Sequence, residues 1–123
     1  MSIDAYRAAW ADYQSAWSAI DAAERQRLIG KSVAEDCVYT DPAGVCRGHG
    51  ELIAYLEQFQ KRLPGAYFEN QLFTAHHGQA LAHWTRYDPQ GNPTIGGASY
   101  ARFGDDGRLT QMTGFPDAAP GAG

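Results

Sequence analysis

Ile3, Tyr6, Trp10, Tyr13, Trp17 and Ile20 recur at steps of 3, 4, 3, 4 and 3 residues. That spacing places them on one stripe of an amphipathic helix. A stripe this bulky must be covered, and the rest of the chain must supply the cover. Ser2 is positioned to cap this helix. Asp21, followed three residues later by Glu24, reads as the capping box of a second helix carrying Leu28, Ile29 and Val33 inward.

The pattern then changes. Cys37-Val38-Tyr39-Thr40 has the composition of a short strand, ended by an Asp41-Pro42-Ala43-Gly44 turn. A third helix begins near Gly48 or His49. Its buried face is Leu52, Ile53, Leu56, Phe59 and Leu63, and Pro64-Gly65 stops it. Strands follow over Tyr67 to His76, Gln79 to Tyr87, Thr94 to Phe103 and Arg108 to Phe115. Their connections are His77-Gly78, a loop over residues 88–93, and Gly104-Asp105-Asp106-Gly107. Helices segregated from antiparallel strands define an α+β class. A sheet with all its helices on one side can curl around them, and the aromatic stripe then either fills the concavity or leaves a pocket. Residues 1–116 read as one domain, and the small, Pro/Gly-rich residues 117–123 as a flexible tail.

Composition narrows the function classes. The 123 residues include 44% hydrophobic and 12% aromatic residues, with a formal charge of −4. An acidic chain without a dense Lys/Arg run is a poor match for nucleic acid. No apolar run reaches the roughly 20 residues of a membrane span. The N-terminus does not read as a signal peptide, so a reducing cytoplasmic setting is expected. Cys37 and Cys46 are too few for a disulfide framework. The four histidines form no metal-binding run, so neither a metal nor a cofactor is expected.

Several motifs together resemble the nuclear transport factor 2-like superfamily, in its SnoaL-like and ketosteroid-isomerase-like branch. They are the run Val33-Ala34-Glu35-Asp36-Cys37-Val38-Tyr39-Thr40-Asp41-Pro42-Ala43-Gly44, then Arg47-Gly48-His49 opening a helix, Trp84 in a strand, and Gly104-Asp105-Asp106-Gly107-Arg108-Leu109. The resemblance runs from about Tyr6 to Phe115. It implies a cone-like roll, a curved antiparallel sheet wrapped around the N-terminal helices. It also implies a deep apolar cavity for a small apolar molecule, and a homodimer through the outer sheet face. Superfamily members include isomerases, cyclases, dehydratases, epoxide hydrolases and non-enzymatic modules, so the fold alone names no activity.

Asp41 matches the general base of the isomerases. The physical case is separate: a carboxylate at a strand end beside an apolar cavity is partly desolvated, which raises its pKa and suits it to move a proton between carbons. The plainer reading is that Asp-Pro makes a turn. Tyr39 and Cys37 alternate with Asp41 and share its face, Tyr39 as a hydrogen-bond donor to ligand or as a packed aromatic. The oxyanion positions of the isomerases fall on Trp17 and Ser99, an indole and a neutral hydroxyl in place of a phenol and a carboxylic acid. Losing one such donor costs about 10²–10³ in rate. Tyr13, one turn before Trp17, is a substitute. His83, with the odd residues of its strand turned inward, is a second acid/base candidate, or else lies on the outer face. Trp84 and Arg86 then point outward towards a partner copy. An epoxide-hydrolase reading needs a second inward Asp beside Arg86 or Arg102, and none is found. Phe59, Met112 and Phe115 complete the expected cavity wall. His49 reads as capping or surface, His76-His77 as solvated, and Asp105-Asp106 as a turn. Three readings remain open: an acid/base enzyme (isomerase, cyclase or dehydratase) with Asp41, His83 and Tyr39, a binding module without chemistry, and a dimerisation domain with a filled core.

Overall fold

The structure, a computed structural model, describes residues 1–117. All but the first residue of the expected 117–123 tail lies outside them. Helix α1 runs Ile3–Ser15, and the Ser2 hydroxyl accepts from the Ala5 amide at 3.1 Å. The stripe predicted helix through Ile20, but α1 stops five residues earlier. Ala16, Trp17 and Ser18 instead make tight turns, each amide donating three residues back at 3.1 Å. The reason is Arg25, from helix α2 (Ala22–Ser32). Its guanidinium donates to the carbonyls of Ala16 (3.0 Å) and Ser18 (2.8 Å), which an α-helix would have kept for itself. Asp21 caps α2 through the Glu24 amide at 2.8 Å, while the Glu24 carboxylate turns to Arg27 rather than closing a box.

Strand β1 is Val33–Asp41, longer than expected. It pairs with β2, Gly44–Arg47, a strand the sequence pattern did not announce. Helix α3 is Gly48–Arg62 and buries Leu52, Leu56 and Phe59. Then come β3 (Tyr67–His76), β4 (Gln79–Tyr87), β5 (Pro93–Phe103) and β6 (Leu109–Pro116). The β3–β4 turn places both His77 (φ 51°) and Gly78 (φ 72°) in the left-handed region, the geometry of a type I′ hairpin.

The six strands form one curved, open sheet in the order β2-β1-β6-β5-β4-β3. All neighbours are antiparallel except β1 and β6, which run parallel with Tyr39 opposite Met112 and Thr40 opposite Thr113. That seam joins the first strand to the last, so the sheet wraps the helices. Ile29, Val33, Cys37, Leu52, Leu56, Leu109 and Met112 are fully buried in a core shared by α2, α3, β1 and β6. The α1 aromatics occupy the other half of the concavity. Beneath them the sheet carries small residues, Ala80, Ala82 and Ala101.

Two inward assignments are corrected by this packing. On β4 the even residues face the helices and the odd ones face out, so His83 is exposed while Trp84 and Arg86 turn inward. Large Leu81 lies outside at 40% exposed, and the small alanines Ala80 and Ala82 are buried on the inner face. Phe115 is 60% exposed and shares the outer face with its β5 partner Ala98. Met112 and Phe115 are three residues apart on a strand and so point to opposite faces.

Arg25 is 5% exposed and, among the described residues, has no carboxylate partner. Replacing it as Arg25→Leu leaves the buried Ala16 carbonyl and the half-buried Ser18 carbonyl without this donor. The expected cost is about 2–3 kcal/mol, seen as a lower urea midpoint with an unchanged m-value. A midpoint unmoved by the substitution contradicts this role for Arg25.

Candidate functional site

A pocket of about 210 Å³ opens between α1, α3 and the inner face of the sheet. Its polar centre is Asp41, at the end of β1. Oδ1 accepts from the amides of Ala43 (2.8 Å) and Gly44 (3.0 Å), which is how Asp-Pro-Ala-Gly makes its turn. Oδ2 accepts from the Tyr39 hydroxyl at 2.6 Å. The Tyr55 hydroxyl lies 2.8 Å from both oxygens. Both readings of Asp41 therefore hold in geometry: it shapes the turn and it lines the pocket. It is not a bare carboxylate among apolar groups, since four donors ring it.

The phenols stay neutral. Burial pushes the Tyr39 hydroxyl far above the ordinary phenol range, with Tyr13 and Asp41 adding to the rise. Burial, then the bond to Asp41, pushes Tyr55 up as well. Burial alone dominates for Tyr13. Each is a proton donor rather than a base. The Tyr13 hydroxyl lines the pocket and donates to no acceptor among the described residues.

Trp17 is the hub of the aromatic wall. Its ring meets Phe59 (5.1 Å), Phe68 (5.6 Å) and Tyr55 (6.1 Å) edge-on and lies tilted to Tyr39 at 5.6 Å. Trp84 meets Phe68 edge-on at 5.2 Å, and its indole N–H donates to the Ser99 hydroxyl at 3.0 Å. Since Trp84 takes an acceptor site of that hydroxyl, the Ser99 O–H is left to donate to something else in the pocket. Gly97 makes this possible: a Cβ there would stand 2.5 Å from the Trp84 ring. Arg62 and Arg86 occupy the remaining polar side of the pocket.

Of the residues singled out in the sequence, Tyr13, Trp17, Tyr39, Asp41, Phe59 and Ser99 converge on the pocket. Cys37 and Met112 share the inward side but are sealed in the core, 0% and 1% exposed, and do not reach the wall. His83 and Phe115 are on the opposite face of the sheet. Both cysteines are free and buried, and burial pushes the Cys46 thiol up to about 11. His49 bonds the Val33 carbonyl at 2.7 Å. Tyr55 and Arg62 were not anticipated as site residues, and Trp84 and Arg86 were expected on the outer face. Tyr55 was legible, since it follows Leu52 by three residues and precedes Phe59 by four, on the same helical stripe. Among the described residues no group of three or more His, Cys, Asp or Glu could hold a metal, and no helix is long and apolar enough to cross a membrane.

These raised phenols carry a pH signature. The folded chain holds the protons of Tyr13, Tyr39 and Tyr55 more tightly than the unfolded chain, where phenols titrate near ~10. Stability is therefore unaffected by them below about pH 10 and falls as pH rises beyond it. In an alkaline titration, the tyrosinate absorbance of Tyr13, Tyr39 and Tyr55 should appear only with loss of the near-ultraviolet dichroism, and full tyrosinate absorbance from a chain that keeps its dichroism contradicts the assignment.

The geometry can now be set beside known proteins. A family model for the SnoaL-like domain matches residues 3–112. Among solved structures, a candidate isomerase of the SnoaL-like family from Agrobacterium tumefaciens is 25% identical, with a TM-score of 0.87 over 94% of this chain and 100% of that one. A nuclear transport factor 2-like protein of unknown function from Mesorhizobium loti is 17% identical, with a TM-score of 0.70 over 94% and 93% of the two chains. A candidate polyketide cyclase from Sinorhizobium meliloti is 18% identical, with a TM-score of 0.70 over 87% and 93%. No curated protein matches the sequence. The family model spans helix α1 through the first half of β6, taking in nearly all the elements that build the pocket, and the chain belongs to the SnoaL-like domain family.

Proposed function

We propose that this chain is a cofactor-independent acid/base enzyme acting on an oxygenated, largely apolar ring compound, as an isomerase, cyclase or dehydratase, with Asp41 as the base. The observation that carries the reading is the asymmetry of the Asp41 carboxylate. Oδ1 is engaged by two backbone amides, whereas Oδ2 has one phenol of its own and shares another. The single Tyr55 proton serves one oxygen at a time, so a lone pair on Oδ2 is the position open to a proton.

The step follows from that geometry. A C–H bond next to a ligand carbonyl breaks and its proton passes to Oδ2. The electron pair moves to the carbonyl oxygen, which becomes an enolate. The Tyr13 and Ser99 hydroxyls, both free to donate, face the pocket where that oxygen would lie. Return of the proton to another carbon restores the carbonyl and the carboxylate. Tyr39 orients Asp41 and supplies a neutral donor beside it. The names of the Agrobacterium and Sinorhizobium structures support this class of chemistry.

The test is deuterium uptake in heavy water with cyclic enones and β,γ-unsaturated ketones, followed by NMR. Uptake above the buffer rate should fall by about 10²-fold or more in Asp41→Asn, with the variant's thermal melt confirming a folded chain. Uptake equal in both proteins removes Asp41 as the base. A second reading, a binding module without chemistry, is favoured by the crowding of donors around Asp41. It predicts equal ketone binding by both proteins and no exchange in either.

We also propose a homodimer through the outer sheet face. Cross-strand pairing aligns Leu72, His83, Ala98 and Phe115 in one row there, with Leu81 beside it. Leu72, Leu81 and Phe115 are 54%, 40% and 60% exposed, an apolar patch that a second copy would cover. Light scattering should give twice the chain mass, reverting to a monomer in Leu81→Asp/Phe115→Lys. A monomeric wild type at high concentration overturns this.

A further inference from the structure

Arg62 ends α3 and Arg86 lies on the inner face of β4. Both line the pocket, and both also line an adjoining cleft walled by Leu63, Pro64, Pro89 and Thr94. They stand where the two hollows meet. Neither is in an ion pair among the described residues, where the four pairs use Arg7, Arg27, Lys31 and Arg108. Arg86 spends one donor, Nε, on the Thr94 hydroxyl at 3.0 Å. Among the described residues its two terminal amino groups make no hydrogen bond. The Arg62 guanidinium lies over the Phe59 ring, 6.0 Å from its centroid, and makes no hydrogen bond among them either.

The nearby acids are already committed. Asp88, in the same cleft, accepts from the amides of Gln90 and Asn92 and from the Asn92 side chain. Asp41, in the same pocket, is held by Tyr39, Tyr55 and its turn. The two arginines are close enough that Arg62, after burial itself, lowers the proton affinity of Arg86. A chain with a net charge of −4 thus keeps two guanidinium groups, unpaired among the described residues, on the wall of one hollow, Arg62 exposed and Arg86 half-buried. Like charges so placed repel, and a shared oxyanion relieves that repulsion.

We propose that Arg62 and Arg86 bind an oxyanion group, in the simplest case a carboxylate, carried by a ligand whose apolar ring lies among Trp17, Phe59, Phe68 and Trp84. This narrows the ligand class of the pocket to ring compounds that carry an acidic group besides any carbonyl. It rests on the reading of that pocket as a ligand site and is independent of Asp41 acting as a base.

Matched probes test it by calorimetry: β-naphthoate, naphthalene-β-sulfonate and neutral β-naphthamide. The wild type should bind naphthoate about 10-fold or more tighter than naphthamide at low salt, with the margin narrowing as salt rises. Sulfonate outdoing carboxylate still places an oxyanion there and identifies its kind. Arg62→Gln and Arg86→Gln should each remove most of the preference while naphthamide affinity stays within about twofold, which also shows that the variants fold. Asp41→Asn should keep the preference even where it abolishes deuterium uptake, so the two proposals can fail separately. Equal binding of acid and amide by the wild type overturns the inference, as does a preference surviving in the double Arg→Gln variant. Binding of none of the probes overturns it together with the pocket reading.

Discussion

One carboxylate ties the polar end of this fold together. Asp41 holds the β1–β2 turn through two backbone amides, its own strand through Tyr39, and α3 through Tyr55. Hydrogen bonds to an ionised acceptor are among the stronger ones available to a protein. These four donors come from a turn, a strand and a helix, so the short hairpin and α3 are set against each other around a single side chain. Tyr39 and Tyr55 are then fixed as neutral donors by burial and by the negative charge they face. The Asp-Pro turn and the pocket acid are thus one structural device seen from its two sides.

The apolar end depends on Trp17, and Trp17 depends on where α1 stops. Continued as a helix, the stripe would have carried Trp17 along the helix axis. The turns after Ser15, held by Arg25, bring its ring against Tyr39, Tyr55, Phe59 and Phe68 instead. Periodicity made the stripe legible from Tyr6 to Tyr13, because each of those residues answers to the 3.6-residue repeat, while Ile3 in the first turn is left exposed. The stop was not legible. It is imposed by a buried arginine on the next helix, and nothing local to residues 14–20 breaks a helix.

The strands show the same division. Their bounds followed closely from Gly, Pro and Asn at the turns, and β3 and β4 end where the sequence pattern ends them. Their faces were less legible. In Leu81-Ala82-His83-Trp84 size is a poor guide to burial, since the concavity is already occupied by α1 aromatics and admits alanine below them. A one-residue shift of register exchanges every side chain between faces, so one misjudged pair moved His83 out and Trp84 and Arg86 in. Gly97 carried the missing signal. A glycine in mid-strand often marks a close approach, and here the indole of Trp84 lies over it. Strand β2 went unannounced because four residues are too few to show alternation.

The pocket holds opposite charges that do not neutralise one another. Asp41 and the pair Arg62 and Arg86 line the same hollow, yet no ion pair joins them. Local contacts on each side account for this. The cause on the acid side is the set of donors that satisfies Asp41 without a cation. On the basic side, Thr94 engages the Arg86 guanidinium and the Phe59 ring that of Arg62. Under the proposed function, a ligand in this pocket meets a carboxylate and cationic donors set against an aromatic wall. That polarity orients a ring compound in one direction only, and orientation is the first requirement for moving a proton between two particular carbons.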